Sequence, residues 1–339
     1  MPKISQNYSG RPVLVTGADG FIGSHLVEAL AHGGAKVTAL AQYNSFGANG
    51  WLDELDDAVL AQVKIHRGDI RDRSHIATLA AGQDVIFHLA ALISVPHSFD
   101  AAQSFVDTNI VGTMNVLEAG RLHRTKRIVC TSTSEVYGTA QVVPIGEGHR
   151  LHAQSPYAAS KIGADMMAQA YALTYELPVT LLRPFNTFGP RQSERAVISN
   201  VIRQSLDPDC AEIRVGNLTP RRDFNYVEDI AAAFTFAGEA GLEHGTPYNV
   251  GTGSAISIGE LCEQVRHITG VNKPIVQEDA RFRPEGAEVM ELVADASAFR
   301  AASGWTPAIG FETGLKRTIE WWRKRIETGK IRRSSDYVV

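Results

Sequence analysis

The sequence predicts an α/β fold, a Rossmann-type doubly wound parallel sheet followed by a smaller C-terminal α/β lobe. Three observations point there. Over the first half of the chain, apolar runs rich in Val, Ile and Leu alternate with helical periods, the pattern of a parallel sheet covered on both faces. A three-glycine string follows the first apolar run directly. From about Pro184 the pattern changes to short strands, Pro and Gly punctuation and isolated helices. Residues 1–183 are therefore expected to form the sheet domain and 184–339 the second lobe, with some segments of the latter returning to the first core.

The expected strands are Pro12–Thr16, Lys36–Ala41, Val63–Arg67, Val85–His88, Arg127–Thr131 and Val179–Arg183. Helical periods lie between them at Phe21–His32, Asp72–Ala80, Ala101–Leu122 and Tyr157–Glu176. Further helices are expected at Val227–Ala240, Ile258–Thr269 and Ile309–Glu327. The four tryptophans, with the Trp321–Trp322 pair among them, fall in helical or packing contexts and read as core or interface.

Composition narrows the class. With 339 residues, 44% apolar and 21% charged, the chain can bury a substantial core. A net charge of -4 with scattered Lys and Arg argues against nucleic acid as a partner. Cys130, Cys210 and Cys262 have neither CxxC spacing nor a neighbouring His cluster, so no metal site or disulfide framework is expected, and a cytoplasmic setting fits. No apolar run reaches the roughly 20 residues that span a bilayer, and Met1–Arg11 lacks the order of a secretory signal.

In the string TGADGFIGSHL, Gly17, Gly20 and Gly23 close the first strand and open the first helix around Phe21 and Ile22. Glycine there permits a tight turn, lets backbone N–H groups approach a pyrophosphate, and lets helix and sheet pack closely. That is a dinucleotide site. Its second strand should end in an acid for the adenosine ribose if the cofactor is NAD. Ala41 stands there instead, followed by Gln42, Tyr43, Asn44 and Ser45, with no arginine for a 2′-phosphate, so NAD and NADP both stay open. Asp69, followed by Ile70, is placed either to meet the adenine edge or to cap the next helix. His88 to Ala91, with Leu89 and Ala90 between, end the fourth strand beside the expected pyrophosphate; His88 itself reads as structural.

Tyr157 and Lys161 are four residues apart, which on a helix puts both on one face. The ammonium is then expected to lower the phenol pKa and leave Tyr157 a base near neutral pH. They follow the string CTSTSEVYG, which holds Thr133, Ser134 and Glu135.

TGADGFIG, HLAA, STSEVYG, SPYAASK, RPFNTFGPR and RRDFNYVEDI, in this order, resemble the extended short-chain dehydrogenases that act on nucleotide sugars. The resemblance implies an NAD(P)-binding Rossmann half, a C-terminal lobe for the nucleotide, and a tyrosine that takes a hydroxyl proton as hydride leaves carbon 4. It also implies a homodimer. Asn186, Arg191, Arg222 and Arg283 would contact the substrate, Arg222 and Arg283 as phosphate clamps, for which a planar guanidinium fork is suited. The bland alternative for each arginine is a salt bridge.

The Thr-Ser-Glu triplet, with QYNSFGANGWLDEL and RFRPEGAEV, is most similar to bacterial nucleotide-hexose 4,6-dehydratases of the GDP-N-acetylglucosamine type. A carbon-4 ketone makes the carbon-5 hydrogen acidic, so Glu135 would remove it while water leaves carbon 6. The rivals are a 4-epimerase and a UDP-glucuronate decarboxylase.

Overall fold

The computed structural model describes residues 8–282 and 288–331. Its main sheet contains seven parallel strands: β1 (Pro12–Thr16), β2 (Lys36–Gln42), β3 (Val63–Gly68), β4 (Val85–His88), β5 (Arg127–Thr131), β6 (Val179–Pro184) and a late one, Pro247–Val250. The order across the sheet is 3-2-1-4-5-6 with the late strand beside β6. The six expected strands thus form within a residue of their predicted ends. The chain reverses its winding direction between β1 and β4, which is where ligands bind in such sheets.

Helices cover both faces. On one side α1 (Phe21–His32) buries Leu26, Val27 and Leu30 against Val13 and Val15. On the other, after the short α2 (Asp57–Leu60), α3 (Arg73–Ala80) packs Ile76 and Leu79 beneath Leu14 and Ile86. Each such side chain contributes about 1.5–3 kcal/mol by leaving water.

The expected single helix over Ala101–Leu122 forms as one continuous helical run from Ala102 to His123, with a π segment inside it. After α4 (Val95–Asp100) and α5 (Ala102–Phe105), the chain widens into a π-turn at Val106–Val111 before α6 (Gly112–His123). The wide turn faces Asn109 inward. Its Oδ1 accepts from Leu92 N at 2.9 Å, while Nδ2 donates to Leu92 O at 3.0 Å and to Ser160 Oγ at 2.9 Å. A helical period does not reveal such an insertion, and π-turns recur at functional sites. α7 (Pro156–Tyr175) begins where Ser155 Oγ accepts Ala158 N–H at 3.1 Å and Pro156 takes the first helical position.

The second lobe holds β7 (Thr187–Phe188), α8 (Val197–Leu206), β8 (Ile213–Val215), β9 (Arg221–Arg222), β10 (Asn225–Tyr226) and α9 (Val227–Glu239). The late strand of the main sheet, β11, follows, and with α9 it belongs to the core of the main sheet. The chain continues through β12 (Ile256–Ser257), α10 (Ile258–Thr269), β13 (Ile275–Gln277), β14 (Glu291–Leu292), α11 (Ser297–Ser303) and α12 (Phe311–Glu327). A separate core forms from Ile198, Ile202, Leu261, Val265, Ile319 and Trp322. Trp322 is buried, and Trp321 stacks edge-on against Trp51 at 5.7 Å, so the pair packs as expected.

Candidate active site

The turn after β1 and the segment after β4 meet at the winding reversal. Gly17 has φ +67°, and a Cβ there would lie 2.6 Å from Ala90 N, so glycine is required for both reasons. A Cβ on Gly23 would lie 2.0 Å from Gly17 O, which fixes how closely α1 enters the turn. Gly20 precedes α1 with no side-chain cap, and the first turn of the helix carries no acid. Its N–H groups and dipole are therefore available to a diphosphate, and the residues fit a dinucleotide. Leu89 N donates to Thr16 O at 3.1 Å and Ala90 N to Thr16 Oγ1 at 3.3 Å, which holds the Leu89–Ala91 segment beside that turn.

His88 is structural, as expected. It bridges Thr16 Oγ1 at 2.8 Å and Thr113 Oγ1 at 3.0 Å, and burial lowers its pKa to about 3. Asn44 uses both ends of its amide within its own loop, on Gln42 O, Ala48 O, Phe46 N and Ala48 N; Ser45 follows in the same exposed loop. Asp69 does not cap the next helix. Asp72 does so, accepting from Ser74 N and His75 N, because the chain makes one more turn before α3 begins. The Asp69 carboxylate is gripped by Arg71, whose hydrogen bond holds it below the usual carboxylate range. Ile70 is buried under α6, with its carbonyl bonded by Asn115 at 3.1 Å.

At the carboxyl ends of β5 and β6 the candidate chemistry assembles. Thr133 starts a short 3-10 turn over Ser134–Tyr137, its Oγ1 accepting Glu135 N–H at 3.2 Å. Thr133 also hydrogen-bonds the Tyr157 side chain, and the Glu135 charge bears on the same phenol. Ser134 is buried between them in sequence.

One expectation is corrected. Tyr157 is not acidified by Lys161: burial, with Glu135 and Asp165 adding to it, raises the phenol above its ordinary value, and only the Thr133 bond opposes this. Lys161 Nζ instead donates to Thr131 O at 2.6 Å, and burial lowers its pKa while Asp165 resists.

Asp165 continues the Tyr157–Lys161 stripe by four more residues and was not singled out from the sequence. Its Oδ2 accepts from Ser132 Oγ at 2.8 Å and from Arg183 Nη2 at 2.9 Å, with both charged side chains 2% exposed. Arg183 Nη1 donates to Tyr137 Oη at 2.9 Å, and Tyr137 donates to Asn249 Oδ1 at 2.7 Å. This chain grips the Thr133–Glu135 turn from both flanks, at Ser132 and at Tyr137.

In the second lobe, Arg222 is almost fully buried and lies 3.4 Å from Glu288, with Nη1 also donating to Arg221 O. Alternation along the strand sends Asp223 to the opposite face. There its carboxylate accepts from Thr252, Gly253 N and Ala294 N, which anchors β9. Asn186 Oδ1 is buried with no hydrogen-bond partner among the described residues and so has an acceptor free for a ligand. Arg191, expected at the substrate, is ion-paired with Glu28 of α1 at 2.8 Å, has φ +67°, and keeps a buried Nη1 with no partner among the described residues. Arg283 lies outside the described residues. Among the described residues no cluster of His, Cys, Asp or Glu fits a metal, and no helix is long and apolar enough to cross a membrane.

Comparison with known proteins bears on this geometry. The sequence matches the family described as GDP-mannose 4,6 dehydratase over residues 14–318. The chain belongs to that family. It is 33% identical to a dTDP-glucose 4,6-dehydratase of Streptomyces niveus, covering 92% of each chain. It is equally 33% identical to a UDP-glucose 4-epimerase of Mycolicibacterium smegmatis, over 92% of this chain and 98% of the other. The structure of DesIV, a dTDP-glucose 4,6-dehydratase of Streptomyces venezuelae with NAD and TYD bound, superposes with a TM-score of 0.82 at 29% identity, over 94% of this chain and 98% of that one. Family members thus divide between dehydratases and epimerases, and a sugar-nucleotide decarboxylase stands among the relatives as well.

Proposed function

We propose that the chain is an NAD-dependent nucleotide-sugar 4,6-dehydratase. The carrying observation is Glu135, whose charge bears on the Tyr157 phenol from the same turn as Thr133. An epimerase needs only the phenol and its hydrogen-bond partner; a carboxylate beside them supplies the second base that elimination requires.

Tyr157 would take the carbon-4 hydroxyl proton, with Thr133 bonded to the same oxygen as the ketone forms. When bound, oxidised NAD supplies the hydride acceptor, later the hydride donor to carbon 6, and a positive charge beside the phenol. Lys161, buried against Thr131 O, holds the ribose side of that cofactor. Glu135 removes the carbon-5 proton and passes it, with Ser134 assisting, to the carbon-6 hydroxyl, which departs as water; after hydride returns to carbon 6, the proton taken from the carbon-4 hydroxyl is returned to carbon 5. Asn186 and Arg222 hold the sugar nucleotide at the other lobe, by hydrogen bond and by charge. The assembly is read as a homodimer: Leu122, Met166, Leu173 and Tyr175 leave a run of exposed apolar surface on α6 and α7.

Incubation with GDP-GlcNAc, UDP-GlcNAc, UDP-glucose and UDP-glucuronate, followed by product masses, tests the reaction type. Loss of water is expected; an unchanged mass with inverted carbon 4, or loss of carbon dioxide, refutes dehydration. Glu135→Gln should still reduce the bound cofactor with substrate yet release no water. Unimpaired water loss in that variant removes Glu135 from the mechanism.

A further inference from the structure

We infer that Asp19, in the glycine turn, reads the adenosine ribose and makes the protein prefer NAD to NADP. The inference rests on the nicotinamide-cofactor reading above and deepens it. In a sheet of this topology the ribose hydroxyls lie at the carboxyl end of β2, where an acid ordinarily receives them. This chain has Ala41 and Gln42 there, so the strand itself brings no charge.

The turn supplies one from the other side. Asp19 stands between Gly17 and Gly20, and its Oδ2 accepts the Gln42 N–H at 3.2 Å, which puts the carboxylate against the end of β2. Its backbone is locked in place: Asp19 O accepts Trp51 N–H at 3.0 Å. Gly50, at φ +58°, crosses so close that a Cβ would lie 2.6 Å from that same oxygen.

The surrounding charges favour a hydroxyl over a phosphate. No basic side chain among the described residues pairs with Asp19. Arg67 on β3, opposite Ala41 in the ladder, donates to Asn49 Oδ1 at 2.8 Å, and Arg71 is bound to Asp69. Asn44 is occupied within its own loop. A carboxylate there accepts from the 2′ and 3′ hydroxyls of NAD, whereas the 2′-phosphate of NADP meets a like charge at the same place.

The test is to denature purified protein and identify the released dinucleotide, then to follow NAD and NADP titrations by tryptophan fluorescence and by melting temperature. NAD should be released, and should bind about tenfold or more tightly than NADP, the scale of one charged hydrogen bond. Asp19→Asn keeps an acceptor for Gln42 N–H but removes the charge, so the ratio should fall toward one at an unchanged melting temperature of the free protein. Adding Gln42→Asp to that variant should restore it by returning a carboxylate to the strand end. Equal NAD and NADP affinities in the parent, a preference for NADP, or a ratio that Asp19→Asn leaves unchanged overturns the inference. If no dinucleotide is released and neither binds parent or variants, the cofactor reading itself has failed.

Discussion

The two ends of the proposed site are built on opposite plans. At the hydride end the polar groups are paired within the protein: Ser132, Asp165, Arg183, Tyr137 and Asn249 bond one another in a dry chain beneath the Thr133–Glu135 turn. At the nucleotide end Asn186 Oδ1 has no partner among the described residues, and Arg222 spans Glu288 at 3.4 Å and Arg221 O at 3.0 Å across short strands. A group that performs chemistry gains from being held before substrate arrives, since reorganisation then costs nothing at the moment of reaction. A group that binds can leave its pairing to the ligand. The contrast assigns stability and geometry to one end and affinity to the other.

The sharpest way to break this contrast is to remove one carboxylate from each end. Asp165→Asn leaves the Arg183 guanidinium, 2% exposed, without its counter-charge and should cost about 3–5 kcal/mol in urea unfolding. Glu288→Ala removes one partner of the buried Arg222, which keeps its bond to Arg221 O, and should cost less, about 1–3 kcal/mol. Equal costs would mean that the two ends do not differ in the way described. Asp165 acts as a positioning residue, so its variant should also lower kcat with little change in KM.

The next effect falls on binding. Arg222→Lys keeps the charge but loses the planar fork, and should raise KM for the sugar nucleotide by about tenfold while kcat stays within roughly a factor of two. A variant that lowered kcat and left KM alone would place Arg222 with the reacting atoms and erase the division of labour.

How far this division was legible in the sequence follows from the range of each signal. Local patterns showed through: the strand VLV after Pro12, the glycine spacing and the Tyr157–Lys161 pair all act within a turn or two, and each forms where expected. The Thr133–Glu135 turn was named, but what grips it was not. Asp165 is partnered by Arg183, a residue of β6, across 18 positions, and such pairing leaves no periodic trace. Asn109 was hidden because a π-turn inside a helical run has no residue signature of its own. The phenol pKa was misjudged in direction because a helical spacing gives the neighbour but not the burial, and here burial dominates. Arg191 read as a substrate contact from its place in RPFNTFGPR, while only the fold shows its ion pair with Glu28 of α1.

The last effect separates the two ends by acid. His88, between Thr16 and Thr113 under the glycine turn, is held neutral by burial, with a pKa of about 3 against an ordinary 6.5. Its folded pKa lies below the unfolded one, so as pH falls through about 6.5 the unfolded chain gains a proton that the folded chain refuses. Stability should therefore drop steadily between about pH 6.5 and pH 4, by at most about 1.4 kcal/mol per pH unit from this site. His25, also lowered to about 3 by burial and by Arg191, adds a slope of the same sign. His88→Gln removes the titration, so the variant, less stable at neutral pH for lack of one threonine bond, should lose stability more gently on acidification. Parallel slopes for parent and variant, read from melting temperatures across that range, would show that the neutral, pre-paired interior beneath the sheet end is not where acid acts.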